Sequence, residues 1–91
     1  MLVQSRKDGE QFCFVSDDKV KMVTVRVTDD GVKLYRGRFL LGFLEFENDC
    51  TVINVTGFDV VVILVKCYVA SARLGFEADR DDVRIIRAEL L

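Results

Sequence analysis

The sequence has no histidine, no proline and no tryptophan among its 91 residues. Without histidine, the Ser-His-Asp and Cys-His nucleophilic arrangements, histidine-ligated zinc or haem, and every histidine general base are excluded. These exclusions remove most ways in which so short a chain could carry out catalysis. We therefore do not expect an enzyme.

Cysteine is scarce and is spaced for neither disulfides nor metal. Cys13, Cys50 and Cys67 are odd in number, lie far apart and form no C-x-x-C pair. Disulfide frameworks and zinc sites use even numbers or close pairs of cysteines. We predict free, buried thiols in a reducing compartment, with no metal and no cofactor.

Long apolar runs are also missing, and so is an excess of positive charge. The longest apolar run, Val60–Val65, is far shorter than a membrane span, and the N-terminus becomes charged at Arg6, too early for a signal peptide. We expect a soluble, cytoplasmic protein that does not bind membranes. The net charge is −2, divided as +2 over residues 1–38, −3 over 39–66 and −1 over 67–91, so nothing attracts nucleic acid to the chain as a whole.

The residues that are present predict one domain, 1–91, made almost entirely of β-strands. Apolar residues make up 51% of the chain, which is enough to fill a core. Val, Ile, Thr, Phe and Tyr dominate short segments between Asp, Asn and Gly turns. Only residues 86–91 favour a helix, of about one and a half turns. The predicted strands are 1–7, 10–16, 19–28, 31–37, 38–47, 50–56, 59–69, 71–77 and 83–87.

Local patterns predict three hairpins and one bulge. Asp8-Gly9, Asp30-Gly31 and Asn48-Asp49 are pairs that accept positive φ, so each is expected to close a hairpin. Met22 has the opposite parity from the apolar residues Val23, Val25 and Val27, which predicts a bulge near Met22.

Apolar and charged clusters allow further interpretations. Val60–Val65 predicts a strand covered on both faces, or one whose open edge pairs with a partner. The segment 36–43 has a faint likeness to an RNA-stacking strand. The apolar residues in it and directly after it favour core or interface instead: Phe39, Leu40, Leu41, Phe43, Leu44 and Phe46. Acidic pairs that could bind calcium or act as acid and base are better explained as turn formers: Asp17-Asp18, Asp29-Asp30 and Asp81-Asp82.

Two segments carry a family resemblance. The first is Met1-Leu2-Val3-Gln4-Ser5-Arg6-Lys7-Asp8-Gly9-Glu10, followed by Ser16-Asp17-Asp18. The second is Ala72-Arg73-Leu74-Gly75-Phe76-Glu77-Ala78, followed by Asp82-Val83-Arg84-Ile85-Ile86-Arg87-Ala88-Glu89-Leu90. In this order they resemble the carbon storage regulator (CsrA/RsmA) family, over roughly residues 1–27 and 71–91.

The resemblance implies a small all-β, CsrA-like antiparallel sandwich or barrel, with inserted strands at about 28–70 and a very short C-terminal helix. It also implies a non-enzymatic, intertwined homodimer that binds GGA-containing loops of mRNA or small regulatory RNA and blocks translation or alters mRNA stability. In that family the first strand of one protomer and the fifth strand of the other form each of two sites. By position, the RNA contacts fall on Gln4, Ser5, Arg6, Lys7, Ile85, Ile86, Arg87, Ala88 and Glu89.

The residues themselves allow this function and a simpler one. Arg6, Lys7 and Arg87 are cations near strand edges, where backbone groups can read unstacked bases and guanidinium groups can hold phosphates. Edge cations also serve simply to prevent aggregation, and an exposed Arg87 could merely pair with Glu89 or Asp82. The family resemblance favours RNA binding, with Arg87 at the position of the family's central arginine.

Departures from the family pattern support an alternative. Gln4 replaces an apolar residue, Asp79 replaces a proline in a longer loop, Ala88 replaces an acidic residue, and Leu91 ends the chain where the family's helix continues. With the acidic insertion, these features favour a protein-interaction module that has lost RNA binding, with a partner strand added at the inserted strands. The insertion also contains a partial repeat, because Val25–Leu34 can be laid onto the same hairpin as residues 59–76. Such a repeat would either enlarge the dimer or replace a partner and leave a monomeric pseudo-dimer.

Overall fold

A computed structural model describes residues 1–17, 19–55, 57–78 and 83–90. The all-β prediction and the very short C-terminal helix are confirmed, because the only helical element in these ranges is a 3₁₀ turn at Ala88–Leu90. No helix in the described ranges is long and apolar enough to cross a membrane. Asp18, Asp79, Asp81, Asp82 and Leu91 lie outside the described residues. The strands are β1 (Leu2–Lys7), β2 (Gln11–Ser16), β3 (Lys19–Thr28), β4 (Gly31–Arg36), β5 (Phe39–Leu44), β6 (Cys50–Val55), β7 (Phe58–Cys67), β8 (Ser71–Ala78) and β9 (Arg84–Arg87).

The strands form two antiparallel sheets that face each other. The four-stranded sheet has the order β1-β8-β7-β6, and the five-stranded sheet has the order β5-β4-β3-β2-β9. Alternate residues of both sheets point between them, as period-two burial requires. The core contains three phenylalanines in edge-to-face contact, Phe12, Phe14 and Phe76, with ring centroids 4.8 to 6.4 Å apart.

The two sheets contain an internal repeat. Strands β1, β2, β3 and β4 correspond to β5, β6, β7 and β8. When each strand is exchanged with its counterpart, the order β1-β8-β7-β6 of one sheet becomes the order β5-β4-β3-β2 of the other. The hairpins agree in detail, since β2 and β6 each have six residues and β3 and β7 each have ten. β6 begins 39 positions after β2, and β7 begins 39 positions after β3. The partial repeat expected from the sequence is therefore present in the topology, and β9 has no counterpart among the described strands.

The hairpin predictions are only partly correct. The expected β3–β4 hairpin forms, but its two turn residues are Asp29 and Asp30 instead of Asp30-Gly31, because Thr28 pairs with Gly31. Asp8-Gly9 and Asn48-Asp49 do turn the chain, with Gly9 and Asn48 at positive φ, but they close no hairpin. Each connects strands of different sheets. Local turn chemistry specifies a reversal of the chain, whereas the choice of pairing partner depends on the packing of the two sheets.

The predicted bulge near Met22 is wrong. The β2–β3 register runs without a shift from Gln11↔Thr24 to Ser16↔Lys19. Met22 lies on the outer face of a regular strand, 40% exposed, so its apolar character does not indicate a change of face. Register shifts occur instead at Leu34/Tyr35 of β4–β5 and at Leu64/Lys66 of β7–β8.

The prediction for Val60–Val65 is also corrected. Only one face of this strand is fully buried, through Val60, Val62 and Leu64, while the outward residues between them are half-buried. Both edges of β7 are occupied, by β6 and β8, so this strand has no open edge for a partner.

Other apolar residues and the cysteines differ from the expectation as well. Among the apolar residues of 39–46, only Leu44 is buried, and Phe39, Leu40 and Phe46 are exposed. All three cysteines are free, but only Cys13 is buried, so the prediction of buried thiols is wrong for the other two.

Candidate nucleic-acid interface

Strand β1 forms one wall of the candidate site. It is the edge of the four-stranded sheet and pairs with β8 from Leu2↔Phe76 to Lys7↔Ser71. Its side chains alternate, so Gln4 and Arg6 point inward and are 8% and 3% exposed, while Ser5 and Lys7 face solvent. A buried arginine requires hydrogen-bond partners, because an unpaired charge is costly to bury.

The main partner comes from the other wall of the site, where the 3₁₀ turn after β9 places Glu89. Arg6 Nη2 donates to Glu89 Oε1 over 2.9 Å and Arg6 Nη1 to Oε2 over 3.1 Å, which is a bidentate pair. Arg6 Nη1 also donates to the Gln11 carbonyl, and Nε donates to the Ser5 carbonyl. Thus residues from opposite ends of the chain meet in one place, the β1–β9 junction.

Gln4 completes this junction. Its Nε2 donates to the Ile85 carbonyl over 2.9 Å, and its buried Oε1 has no hydrogen-bond partner in the described part of the protein. Gln4 thus makes a hydrogen bond between the two walls that an apolar residue could not make. The amide joins β1 to β9, whose Ile85 is itself buried in the core.

The electrostatics of the junction follow from the Arg6–Glu89 pair. Hydrogen bonds from Arg6 are the main cause that lowers the pKa of the Glu89 carboxyl to about 2, helped by a backbone hydrogen bond and by the charges of Arg6 and Arg87. The hydrogen bond to Glu89 raises the pKa of Arg6 against the opposing effect of burial. Both groups are therefore charged at neutral pH, and Arg6 is fixed in place by its contacts.

An open cleft of about 370 Å³ lies over this junction. The cations Lys7 and Arg87 at the cleft are both exposed, and the Lys7 backbone N–H donates to the Glu10 carboxylate over 2.6 Å. The cleft therefore offers exposed positive charge and a partly exposed carboxylate beside the buried Arg6. Its lining residues are Ser5, Arg6, Lys7, Glu10, Ser71, Arg87 and Glu89.

Most of the residues expected to contact RNA lie at or directly beneath this cleft. Gln4 lies beneath the cleft, in contact with Ile85. The cleft is lined by Ser5, Arg6, Lys7, Arg87 and Glu89, of which Arg6 is buried. The remaining three are set back from it, since Ile85 is in the core, Ile86 pairs with Cys13 on the outer face, and Ala88 begins the 3₁₀ turn.

Sequence reasoning missed Glu10 and Ser71 as members of the cleft. Glu10 stands four residues after Arg6, within the first family-like segment, which was the available signal for it. Ser71 is brought in only because it pairs with Lys7 across the sheet, and nothing in the sequence indicated that pairing.

The repeat provides an internal comparison for the junction. Gln4 and Arg6 oppose Leu74 and Ala72 on β8, as Gly42 and Leu44 oppose Leu34 and Val32 on β4. The polar pair of the first repeat is thus replaced by glycine and leucine in the second. No described strand lies beyond β6 where β9 would have its counterpart.

The second junction is closed by direct packing of β5 against β6. A Cβ atom at Gly42 would lie 2.6 Å from Cγ2 of Thr51, so a side chain there would clash. The described strands therefore contain one junction of the β1–β9 type.

Comparisons of the chain with family models, with curated proteins and with solved structures find no match. A proposal for the function of the protein therefore rests on the residues of the cleft.

Proposed function

We propose that the protein binds a GGA-containing single-stranded or hairpin-loop RNA in the cleft between β1 and β9, and so regulates translation or stability of mRNA in the cytoplasm. The observation that carries this proposal is the meeting of the two family-like segments at one cleft. Exposed Lys7 and Arg87 there flank the buried Arg6–Glu89 pair. In the family that the sequence resembles, the first strand of one protomer and the fifth strand of the other form each RNA site.

The residues of the cleft suit an RNA loop chemically. Lys7 and Arg87 can hold phosphates, and the planar guanidinium of Arg87 can do so with two parallel hydrogen bonds. Guanine presents adjacent N1–H and N2–H donors on its Watson–Crick edge, and the partly exposed Glu10 carboxylate is an acceptor at the same cleft. Unstacked bases of a loop expose these edges, whereas a duplex does not.

A single chain supplies the whole site in this proposal. β1 and β9 of one molecule meet, so the protein acts as a monomeric pseudo-dimer rather than as the intertwined homodimer of the family. Gly42 and Leu44 stand where the second site would need polar groups, which supports one RNA site per chain. Bound near a ribosome-binding site, the protein would exclude the ribosome.

The test is fluorescence anisotropy with a GGA hairpin and a loop-scrambled control. Arg87→Ala should weaken GGA binding by about 1–3 kcal/mol, or roughly 5- to 150-fold, the scale of a charged hydrogen-bonded contact. The matched control is Arg84→Ala, since Arg84 is also exposed on β9 but lies away from the cleft, opposite Val15. Equal affinities of wild type and Arg87→Ala would contradict the site, as would an equal loss with Arg84→Ala.

A second candidate, the protein-interaction module, is favoured by strand β6. Cys50–Val55 carries no charge, pairs only with β7 and exposes 57% of Val52, which are features of an edge that can accept a partner strand. Co-purification of a defined protein partner without RNA would favour this function. Co-purifying RNA, detected as a high 260/280 absorbance ratio, would count against it.

A further inference from the structure

A pair of cations stands on the outer face of each of the two corresponding hairpins, β3–β4 and β7–β8, where the register shift at Leu64/Lys66 places Lys66 rather than Val65 opposite Arg73. Arg26 on β3 is directly opposite Lys33 on β4, and Lys66 on β7 is directly opposite Arg73 on β8. Like charges in such cross-strand positions repel each other and destabilise a sheet. Each pair therefore needs compensation from another group.

The two pairs are compensated differently. Arg26 Nε lies 3.2 Å from Asp8 Oδ1, and Lys33 Nζ lies 5.4 Å from the centre of the Phe43 ring. For the second pair, Lys66 Nζ lies 5.8 Å from the Tyr68 ring, and no carboxylate of the described residues forms an ion pair with either cation. The Lys66–Arg73 pair thus keeps its positive charge available for an anion.

The uncompensated pair adjoins the cleft. Arg73 is also directly opposite Ser5 on β1, so Ser5, Arg73 and Lys66 form one row across three neighbouring strands of the outer face. Strand spacing places Lys66 about 10 Å from Ser5 along this row. Lys7 lies two residues beyond Ser5 on the same face, so the row continues the positive charge of the cleft. The compensated pair, Arg26–Lys33, lies on the opposite sheet.

We propose that the row Ser5–Arg73–Lys66 binds the phosphate backbone of the nucleotides that flank the recognised loop, with Lys66 and Arg73 as its two phosphate contacts. This rests on the proposed function for the identity of the ligand. The row recognises backbone phosphate and not base sequence, because exposed lysine and arginine side chains on an open sheet face are not held in the single orientation that reading a base edge requires. The cleft selects the loop, and the row strengthens binding of any RNA that extends beyond it.

The experiment compares two double variants with wild type, on two RNAs. Lys66→Gln/Arg73→Gln removes the row, and Arg26→Gln/Lys33→Gln is the matched control from the corresponding hairpin. The RNAs are a short linear oligonucleotide that contains GGA and just fills the cleft, and a GGA hairpin with a single-stranded extension. Affinity is measured by anisotropy at about 50 and 200 mM salt, the range over which counterion release is strong.

Loss of two phosphate contacts should make the salt dependence for the extended hairpin shallower by about 1.4 in log–log slope. The affinities of wild type and Lys66→Gln/Arg73→Gln should then converge by roughly sevenfold between the two salt concentrations. The short oligonucleotide should bind both proteins equally, and the control variant should match wild type on both RNAs.

If Lys66→Gln/Arg73→Gln binds the extended hairpin with the same salt dependence as wild type and keeps its GGA selectivity, the proposal for the row is overturned and the proposed function is not. An equal change in both double variants would also overturn it, because it would show a general charge effect. Loss of GGA selectivity in wild type itself would instead contradict the proposed function, so the two failures are distinguishable.

Discussion

Replacement of Arg6 tests whether its position in β1 is equivalent to the position of Leu44 in β5. Arg6→Ala removes a buried guanidinium, leaves the Gln11 carbonyl without its donor and opens a gap between β1 and β9. Glu89 is half exposed and is hydrated once Arg6 is lost, so most of the cost comes from the carbonyl and the lost packing. We expect Arg6→Ala to destabilise the fold by about 2–4 kcal/mol.

Arg6→Leu should be much better tolerated, because Leu44 occupies the equivalent position in the second repeat and is fully buried. A buried leucine side chain recovers about 1.5–3 kcal/mol relative to the alanine variant. With an m-value near 1.5 kcal/mol/M, the urea midpoint of Arg6→Leu should lie about 1–2 M above that of Arg6→Ala. Equal midpoints would refute the equivalence of Arg6 and Leu44.

RNA binding should follow a different order from stability. Arg6 is a positioning residue, since it holds Glu89 beside the cleft while its own side chain is almost fully buried. Both Arg6 variants should therefore bind a GGA hairpin more weakly than wild type, including the stable Arg6→Leu. Wild-type affinity in Arg6→Leu would show that the Arg6–Glu89 pair only stabilises the fold.

Three further outcomes are expected. The pKa of Glu89 is lowered to about 2, so the contribution of its charge to stability is complete above the ordinary value near 4.5 and is lost as pH falls toward 2. The difference in unfolding free energy between wild type and Glu89→Gln should therefore shrink between these two pH values. A constant difference would contradict the ion pair between Arg6 and Glu89. Cys50 is exposed, whereas Cys13 is buried and burial raises the pKa of its thiol. A thiol reagent should therefore label Cys50 before Cys13 in the native protein. Equal labelling rates for the two cysteines would contradict the burial of Cys13 on β2. Gly42→Ala should lower the free energy of unfolding by about 1–3 kcal/mol, because the added methyl group clashes with Thr51. The second substitution Thr51→Ala should restore stability. A Gly42→Ala variant as stable as wild type would show that β5 and β6 are not in direct contact at this point.

Strand positions could be read from the sequence because local patterns set them. All nine predicted strands are present, since most β-branched and aromatic runs end at Asp, Asn or Gly turns; the β7–β8 connection, Tyr68-Val69-Ala70, is an exception. The pairing of strands could not be read in the same way. Asp8-Gly9 and Asn48-Asp49 have the composition of hairpin turns, yet the strands that follow them join the opposite sheet, because this buries their apolar faces.

The candidate site was predictable in its location but not in the roles of its residues. Arg6 and Lys7 are adjacent cations that look interchangeable in the sequence. Strand alternation then turns Arg6 inward to Glu89 and Lys7 outward to solvent, and the parity is set by the pairing of β1 with β8. The buried role of Gln4 likewise depends on Ile85, which is 81 residues away along the chain.

The most direct test of the account is the mass of the protein with a GGA hairpin, measured by light scattering in solution. We expect the free protein to have the mass of one 10.4 kDa chain, and its saturated complex to contain one chain and one RNA, with no complex formed on the scrambled loop. A complex of two chains, or equal complex formation with the scrambled loop, would contradict the claim that one chain alone builds the RNA site between β1 and β9.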